Sequence, residues 1–117
     1  MFDFEKLTAY NKAKIFNLKI KQEILSLGNI DKATKDQLRR ASLSIVLNVA
    51  ESTSRFSDAD KRNFFVIARG SLIESIAILD LLQDDMILNH VMYLEFYSIG
   101  EELSKILYTL IRSLEKK

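Results

Sequence analysis

The sequence predicts an all-α protein, an up-down antiparallel four-helix bundle formed by a single domain over residues 1–117. The chain contains no proline and only three glycines, so few residues interrupt a helix or favour the turns of a β fold. Apolar residues recur at spacings of three and four along four segments, as they do on one face of a helix. Four helices of roughly 20 residues with short connections pack most simply as antiparallel neighbours.

The first predicted helix runs from Asp3 to Leu27. Its apolar face comprises Ala9, Ala13, Phe16, Ile20, Ile24 and Leu27. Gly28 and Asn29 follow directly, and both residue types favour the backbone conformation that ends a helix.

The second predicted helix begins near Lys35 and ends near Thr53. Thr34 and Gln37, three residues apart, match a capping box. One face of this helix carries Leu38, Ala41, Ile45 and Val49, and its other faces carry Leu43, Val46, Leu47 and Ala50. A bundle buries only one stripe of each helix. The surplus apolar surface therefore predicts a homo-oligomer in which the second helix lies in or near the interface.

The third predicted helix runs from Asp58 to about Gln83, because Ser57 and Asp60 repeat the cap signature. Its expected core residues are Phe64 or Phe65, Ala68, Leu72, Ile76, Leu79 and Leu82. Gly70 lies in the middle of this helix, where glycine costs about 1 kcal/mol relative to alanine. With Ser71 and Ser75 it forms a small-residue surface, which predicts close approach by another helix.

The fourth predicted helix extends from an N-cap at Asn89 to about Glu115. Its expected core residues are Val91, Leu94, Tyr97, Gly100 or Glu102, Leu103, Ile106 or Leu107, Leu110 and Leu114.

The composition argues against several classes of protein and site. The absence of cysteine excludes disulfides and thiolate zinc sites. Apolar residues form 48% of the chain, charged residues 28%, and the net charge is +1, as in ordinary cytosolic proteins. The N-terminus lacks a secretory pattern, and no apolar run approaches the roughly 20 residues that span a bilayer. We expect a cytoplasmic protein without a membrane segment.

The polar residues predict no enzyme and no cofactor. The chain has no Glu-x-x-His pair of the di-iron type, and its single histidine, His90, is expected on the surface at the start of the fourth helix. Asp80, Asp84 and Asp85 fit a solvated helix end better than a metal site. No serine or cysteine nucleophile has an evident base partner.

Several polar residues interrupt the two apolar central helices. Charges in such helices are usually paired, so we expect Arg40 or Arg69 to pair with Glu51 or Glu74, and Asn48 to satisfy a neighbouring group. Two alternatives use the same residue types: an arginine cluster that holds phosphates, and an inter-subunit enzyme site built from these two arginines and two glutamates.

The first helix carries an acid-free basic run from residue 6 to residue 21. This run is either a solvated outer face or a nucleic-acid surface, because an oligomer would multiply its positive charge. The hypothesised phosphate contacts are Lys12, Lys14, Lys19, Lys21, Arg39 and Arg55. Acidic residues in the second half of the chain balance this charge.

Two stretches, QLRRASLSIVLNVAES and FFVIARGSLIES, resemble the signature of the bacterial 23S rRNA intervening sequence proteins. The opening FEKLTAYNKA and closing GEELSKILYTLIRSL are also similar. The motif positions are Gln37, Arg39, Arg40, Ser44, Asn48, Glu51, Arg69, Gly70, Ser71 and Glu74, for which the resemblance implies structural and interfacial roles. The chain departs from the family pattern at Ser52, which replaces a glycine, and at Gly28-Asn29, where a proline is common.

The resemblance implies a four-helix bundle assembled as a ring-like homopentamer. A related group, the accessory variability determinants of diversity-generating retroelements, is similar in fold and binds a reverse transcriptase and nucleic acid through a basic surface. We therefore expect a non-enzymatic oligomer that binds RNA, DNA or a reverse-transcriptase-like partner through basic surfaces. The alternative is a protein-interaction scaffold without nucleic-acid binding.

Overall fold

The computed structural model describes residues 1–115, and over these residues it contains four α-helices, one short 3₁₀ helix and no strand. The helices are α1 (Thr8–Glu23), α2 (Lys32–Ser52), α3 (Asp58–Asp84) and α4 (His90–Ser113). Each helix contacts the next along the chain, and α1 also contacts α4. The short connections 24–31, 53–57 and 85–89 suit antiparallel neighbours. The predicted all-α fold with four helices is confirmed.

The predicted first helix is interrupted near its start. Asp3–Lys6 form the 3₁₀ helix, and Leu7 then adopts an extended conformation with φ −80° and ψ 126° before α1 begins. The Phe4 ring lies 4.7 Å from the Tyr10 ring, centroid to centroid. This aromatic contact packs the 3₁₀ helix onto the first turns of α1.

The start of α2 lies three residues before the predicted one. The Asp31 carboxylate accepts hydrogen bonds from the backbone N–H of Thr34 (3.0 Å) and from its hydroxyl (2.7 Å). These bonds, the hydroxyl bond first, lower the pKa of Asp31. The predicted capping box at Thr34 and Gln37 is therefore wrong, because Asp31 is the N-cap.

The caps of α3 and α4 are confirmed. The Ser57 hydroxyl and the Asn89 side-chain oxygen each accept a hydrogen bond from the backbone N–H three residues later, at 3.1 and 2.8 Å. Each cap satisfies a backbone donor that the first turn of a helix leaves free.

The core of α1, α2 and α3 follows the predicted stripes closely. All four predicted core residues of α2 are buried. In α3, Phe65 rather than Phe64 is buried, whereas Ile76 is only partly buried. The Phe16 ring of α1 meets the Phe96 ring of α4 edge-on, with centroids 6.0 Å apart, so the two rings join opposite ends of the chain in one core.

The predicted face of α4 is wrong in its first half. Val91, Leu94 and Tyr97 are exposed, and the buried face consists of Phe96, Gly100, Leu103, Leu107 and Ile111. Helix α4 has apolar residues on more than one face, so its contacts with α1 and α3 decide which face is buried. No helix within residues 1–115 is long and apolar enough to span a membrane.

Candidate interaction surfaces

A hydrogen-bonded seam of motif residues joins α2 to α3. The hydroxyl oxygens of Ser44 and Ser71 lie 2.8 Å apart. The Asn48 side-chain amide donates to the carbonyl of Ser44 (2.8 Å) and to its hydroxyl (2.9 Å). The Gln37 amide donates to the Glu74 carboxylate at 2.6 Å. The prediction that Asn48 satisfies neighbouring groups is confirmed, and the seam fixes the register of the two helices.

The predicted pairing of Arg40 or Arg69 with Glu51 or Glu74 is wrong within the chain. Glu51 instead pairs with Arg55, one turn later on α2, at 2.6 Å. The exposed Arg40 has no carboxylate of residues 1–115 within 4.0 Å. Because Glu51 and Arg40 are both exposed on α2, the expected contacts with α3 do not form among residues 1–115, and only Glu51 gains a partner one turn away.

Arg69 lies in a groove of about 370 Å³ between α3 and α4. Its guanidinium carbon is 5.6 Å from the centroid of the Tyr108 ring, a cation–π contact. Its Nε atom is buried, and the described part of the chain offers it no hydrogen-bond acceptor. Tyr108, which spacing alone does not connect with Arg69, was missed in the sequence.

Gly70 is exposed on α3, where it lines a groove that Tyr108 and Ile111 of α4 also line. A Cβ atom added at Gly70 would meet no described atom within 4 Å. The predicted close approach of a helix at this glycine is therefore wrong within the chain.

Apolar side chains of α2 and α3 are exposed on the outside of the bundle. Leu43 and Leu47 of α2 are 41% and 56% exposed, and Val66 and Ile73 of α3 are 41% and 53% exposed. The surplus apolar surface predicted for α2 is thus present. The sequence carries the same signal for α3, since these two residues fall outside its core stripe, but that signal was missed.

Two of the hypothesised phosphate-binding lysines instead join α1 to α4. Lys12 pairs with Glu102 at 2.6 Å, and Lys19 pairs with Glu23 at 2.6 Å and Glu95 at 3.0 Å. The hydrogen bond to Glu23 is the main reason that the pKa of Lys19 is raised, and the bond to Glu95 adds to it against the opposing effect of burial. These ammonium groups are largely neutralised by neighbouring carboxylates.

Of the other four hypothesised phosphate contacts, two are paired with carboxylates and two are not. Arg39 pairs with Asp36 at 2.7 Å, and Arg55 pairs with its acidic neighbour on α2, as described above. Lys14 and Lys21 are exposed and have no carboxylate within 4.0 Å among residues 1–115. They lie seven residues apart and so project from the same side of α1.

The single histidine supports the connection between α3 and α4. His90 is exposed at the first position of α4, as expected, and its Nδ1 atom forms a hydrogen bond with the Gln83 side-chain oxygen. Within residues 1–115, no group of three or more histidine, aspartate and glutamate side chains could hold a metal ion.

These features define a small helical bundle whose polar motif residues join α2 to α3 and leave an apolar outer surface. The family model described as the 23S rRNA-intervening sequence protein matches residues 5–109. The chain belongs to this family, and the predicted family is confirmed.

A solved structure has the same fold. It is the crystal structure of a protein with unknown function from the S23 ribosomal protein family of Bacteroides thetaiotaomicron. The two chains are 24% identical with a TM-score of 0.83, and the similarity covers 89% of this chain and 98% of that chain. Among curated proteins, none matches the chain.

Proposed function

We propose that the protein is a non-enzymatic assembly protein of the cytoplasm that acts as a homo-oligomer, a pentamer as the family resemblance implies. The observation that carries this proposal is the exposure of large apolar side chains on α2 (Leu43, Leu47) and, beside Gly70, on α3 (Val66, Ile73). Grouped apolar side chains on the surface of a small protein mark an interaction site. A protein whose copies cover this patch can present its outer surfaces as a repeated scaffold for other partners.

The mass in solution tests this proposal. We expect light scattering at micromolar concentration to give about five times the chain mass of 13.5 kDa, because association buries the exposed apolar side chains. A chain that stays monomeric at this concentration would contradict the proposal.

The second candidate function is binding of RNA or DNA, or of a reverse-transcriptase-like enzyme, through basic surfaces. Lys14 and Lys21 favour it, because they are exposed and carry no neighbouring carboxylate among the described residues. Several copies in one oligomer would place many such lysines around a nucleic acid. The ion pairs of Lys12 and Lys19 and the net charge of +1 make the scaffold function the first choice.

Binding of labelled structured RNA and DNA across a salt series tests this second function. If Lys14 and Lys21 contact phosphates, the Lys14→Gln/Lys21→Gln variant binds more weakly, with a shallower log-log salt slope than the wild type. The control variant Lys6→Gln/Lys12→Gln removes the same charge from lysines that already pair with carboxylates. Equal losses in both variants would exclude a local contact, and no binding at low salt would leave the scaffold function alone.

A further inference from the structure

We propose that the exposed edge of α2 in one copy packs against the outer face of α3 in a second copy. The α2 edge consists of Leu43 and Leu47, and the α3 face consists of Val66, Gly70 and Ile73. This inference rests on the proposed self-association and names the two surfaces that meet.

Gly70 indicates that a partner covers the α3 face. A glycine within a helix costs about 1 kcal/mol relative to alanine, and no contact in the chain requires a glycine here, since a Cβ atom would lie in open space. Val66 and Ile73 flank Gly70 and are half exposed. Together they form an apolar surface with a depression at the glycine. The backbone of a second helix can approach closely at this depression.

The α2 edge is a ridge, which is complementary in shape to a depression. Leu43 and Leu47 are four residues apart, so they form a ridge along one side of the helix. Both are exposed, although Leu47 also lines a cavity with Phe2 and Phe4 of the N-terminal segment.

The two surfaces lie at the same level along the bundle axis. Ser44 is hydrogen-bonded to Ser71, and α2 and α3 run in opposite directions, so Gly70 lies level with Ile45, the midpoint between Leu43 and Leu47. Two copies with parallel axes can therefore join these surfaces without a shift along the axis. Because the surfaces differ, the contact is heterologous, and each copy keeps one surface free for the next copy.

The charges beside the two surfaces are complementary in the same order. Arg40 precedes the leucine pair on α2, and Glu51 follows it. On the partner, Glu101 is level with Ile76 beside the α3 face, because Gly100 contacts Ile76. Arg62 lies at the opposite end of that face. The contact thus places Arg40, which has no carboxylate within 4.0 Å among residues 1–115, near Glu101 of the partner subunit, which favours this orientation. Glu51 and Arg62 already pair with Arg55 and Glu115 in their own chain and add less.

A mixing experiment tests the contact. Leu47→Arg removes the α2 edge of a copy, and Gly70→Arg blocks its α3 face. We expect light scattering to show each variant as a monomer of 13.5 kDa and their equimolar mixture as a dimer, because each variant retains the surface that the other lacks. The control is Leu18→Arg, which adds the same charge at a 53% exposed leucine of α1 and is expected to associate like the wild type.

Each alternative result has a defined meaning. A wild-type monomer would overturn the proposed function and this inference together. A normal wild-type oligomer that Leu47→Arg or Gly70→Arg leaves intact would overturn only the inference, as would a mixture that stays monomeric or a Leu18→Arg variant that dissociates. Circular dichroism establishes that each variant retains its helices.

A charge-reversal pair gives a second test that leaves the apolar surfaces unchanged. Arg40→Glu and Glu101→Arg are each expected to raise the dissociation constant roughly tenfold or more, because each places like charges together. The double variant should recover association, and additive weakening in the double variant would contradict the contact. Both residues are exposed, so the folded chain should tolerate either change.

Discussion

Replacing Phe96 by alanine is expected to lower the free energy of unfolding by about 3–5 kcal/mol. The Phe96 ring is fully buried and meets the Phe16 ring edge-on. The Lys19 ammonium group also lies 4.9 Å from its centroid. The substitution leaves a cavity where α1 packs against α4, and the surrounding backbone can fill it only in part. Urea unfolding followed by circular dichroism measures the loss.

Leu94→Ala is the matched control for this measurement. Leu94 precedes Phe96 by two residues on the same helix, and the sequence pattern places it in the core, yet its side chain is 47% exposed. We expect its loss to remain below about 1 kcal/mol. A loss at Leu94 that equals or exceeds the loss at Phe96 would mean that α4 packs through a different face.

The contrast between α1 and α4 shows which part of the core could be predicted. In α1 the apolar residues Ala13, Phe16 and Ile20 fall on a single stripe, and all are buried. In α4 the residues around Phe96 and those around Leu94 form two stripes with helical spacing. Only the contacts with α1 and α3 select between them, and a single helix does not contain that information.

The charged residues were harder to predict than the core for a related reason. The pair formed by Glu51 and Arg55 follows the spacing of one helical turn. The pair formed by Lys19 and Glu95 joins residues 76 positions apart and depends on how α1 and α4 are rotated. Spacing indicates that a basic run exists, but the packing decides which of its lysines remain free for a ligand.

The sequence predicts that an interface exists, because α2 has a surplus of apolar residues. It does not predict which two surfaces meet. The apolar residues of α2 outnumber those that a bundle can bury, which indicates a further partner. The level of the α2 leucines relative to Gly70 along the bundle axis depends on the register between α2 and α3. The hydrogen bond between Ser44 and Ser71 fixes that register. That register appears only when both helices are placed together.

Replacing Gly100 by leucine is expected to lower the free energy of unfolding by about 1–3 kcal/mol, as overpacked core substitutions do. Gly100 is buried where α4 crosses α3. A Cβ atom there would lie 2.8 Å from the Cδ1 atom of Ile76 and 3.6 Å from that of Leu72. A shift of the Ile76 side chain can admit one carbon, but a leucine adds three more and must push α3 and α4 apart.

Gly70→Leu is the control, because a Cβ atom at this exposed glycine of the neighbouring helix has no packing neighbour within 4 Å, in contrast to one at Gly100. It should leave stability unchanged or raise it by up to about 1 kcal/mol, since leucine favours the helix more than glycine does. Both changes are made in the Leu47→Arg background, so that association does not contribute, and are measured by urea unfolding. Equal effects at the two glycines would show that helix propensity, and not the close crossing of α3 and α4, determines the result at Gly100.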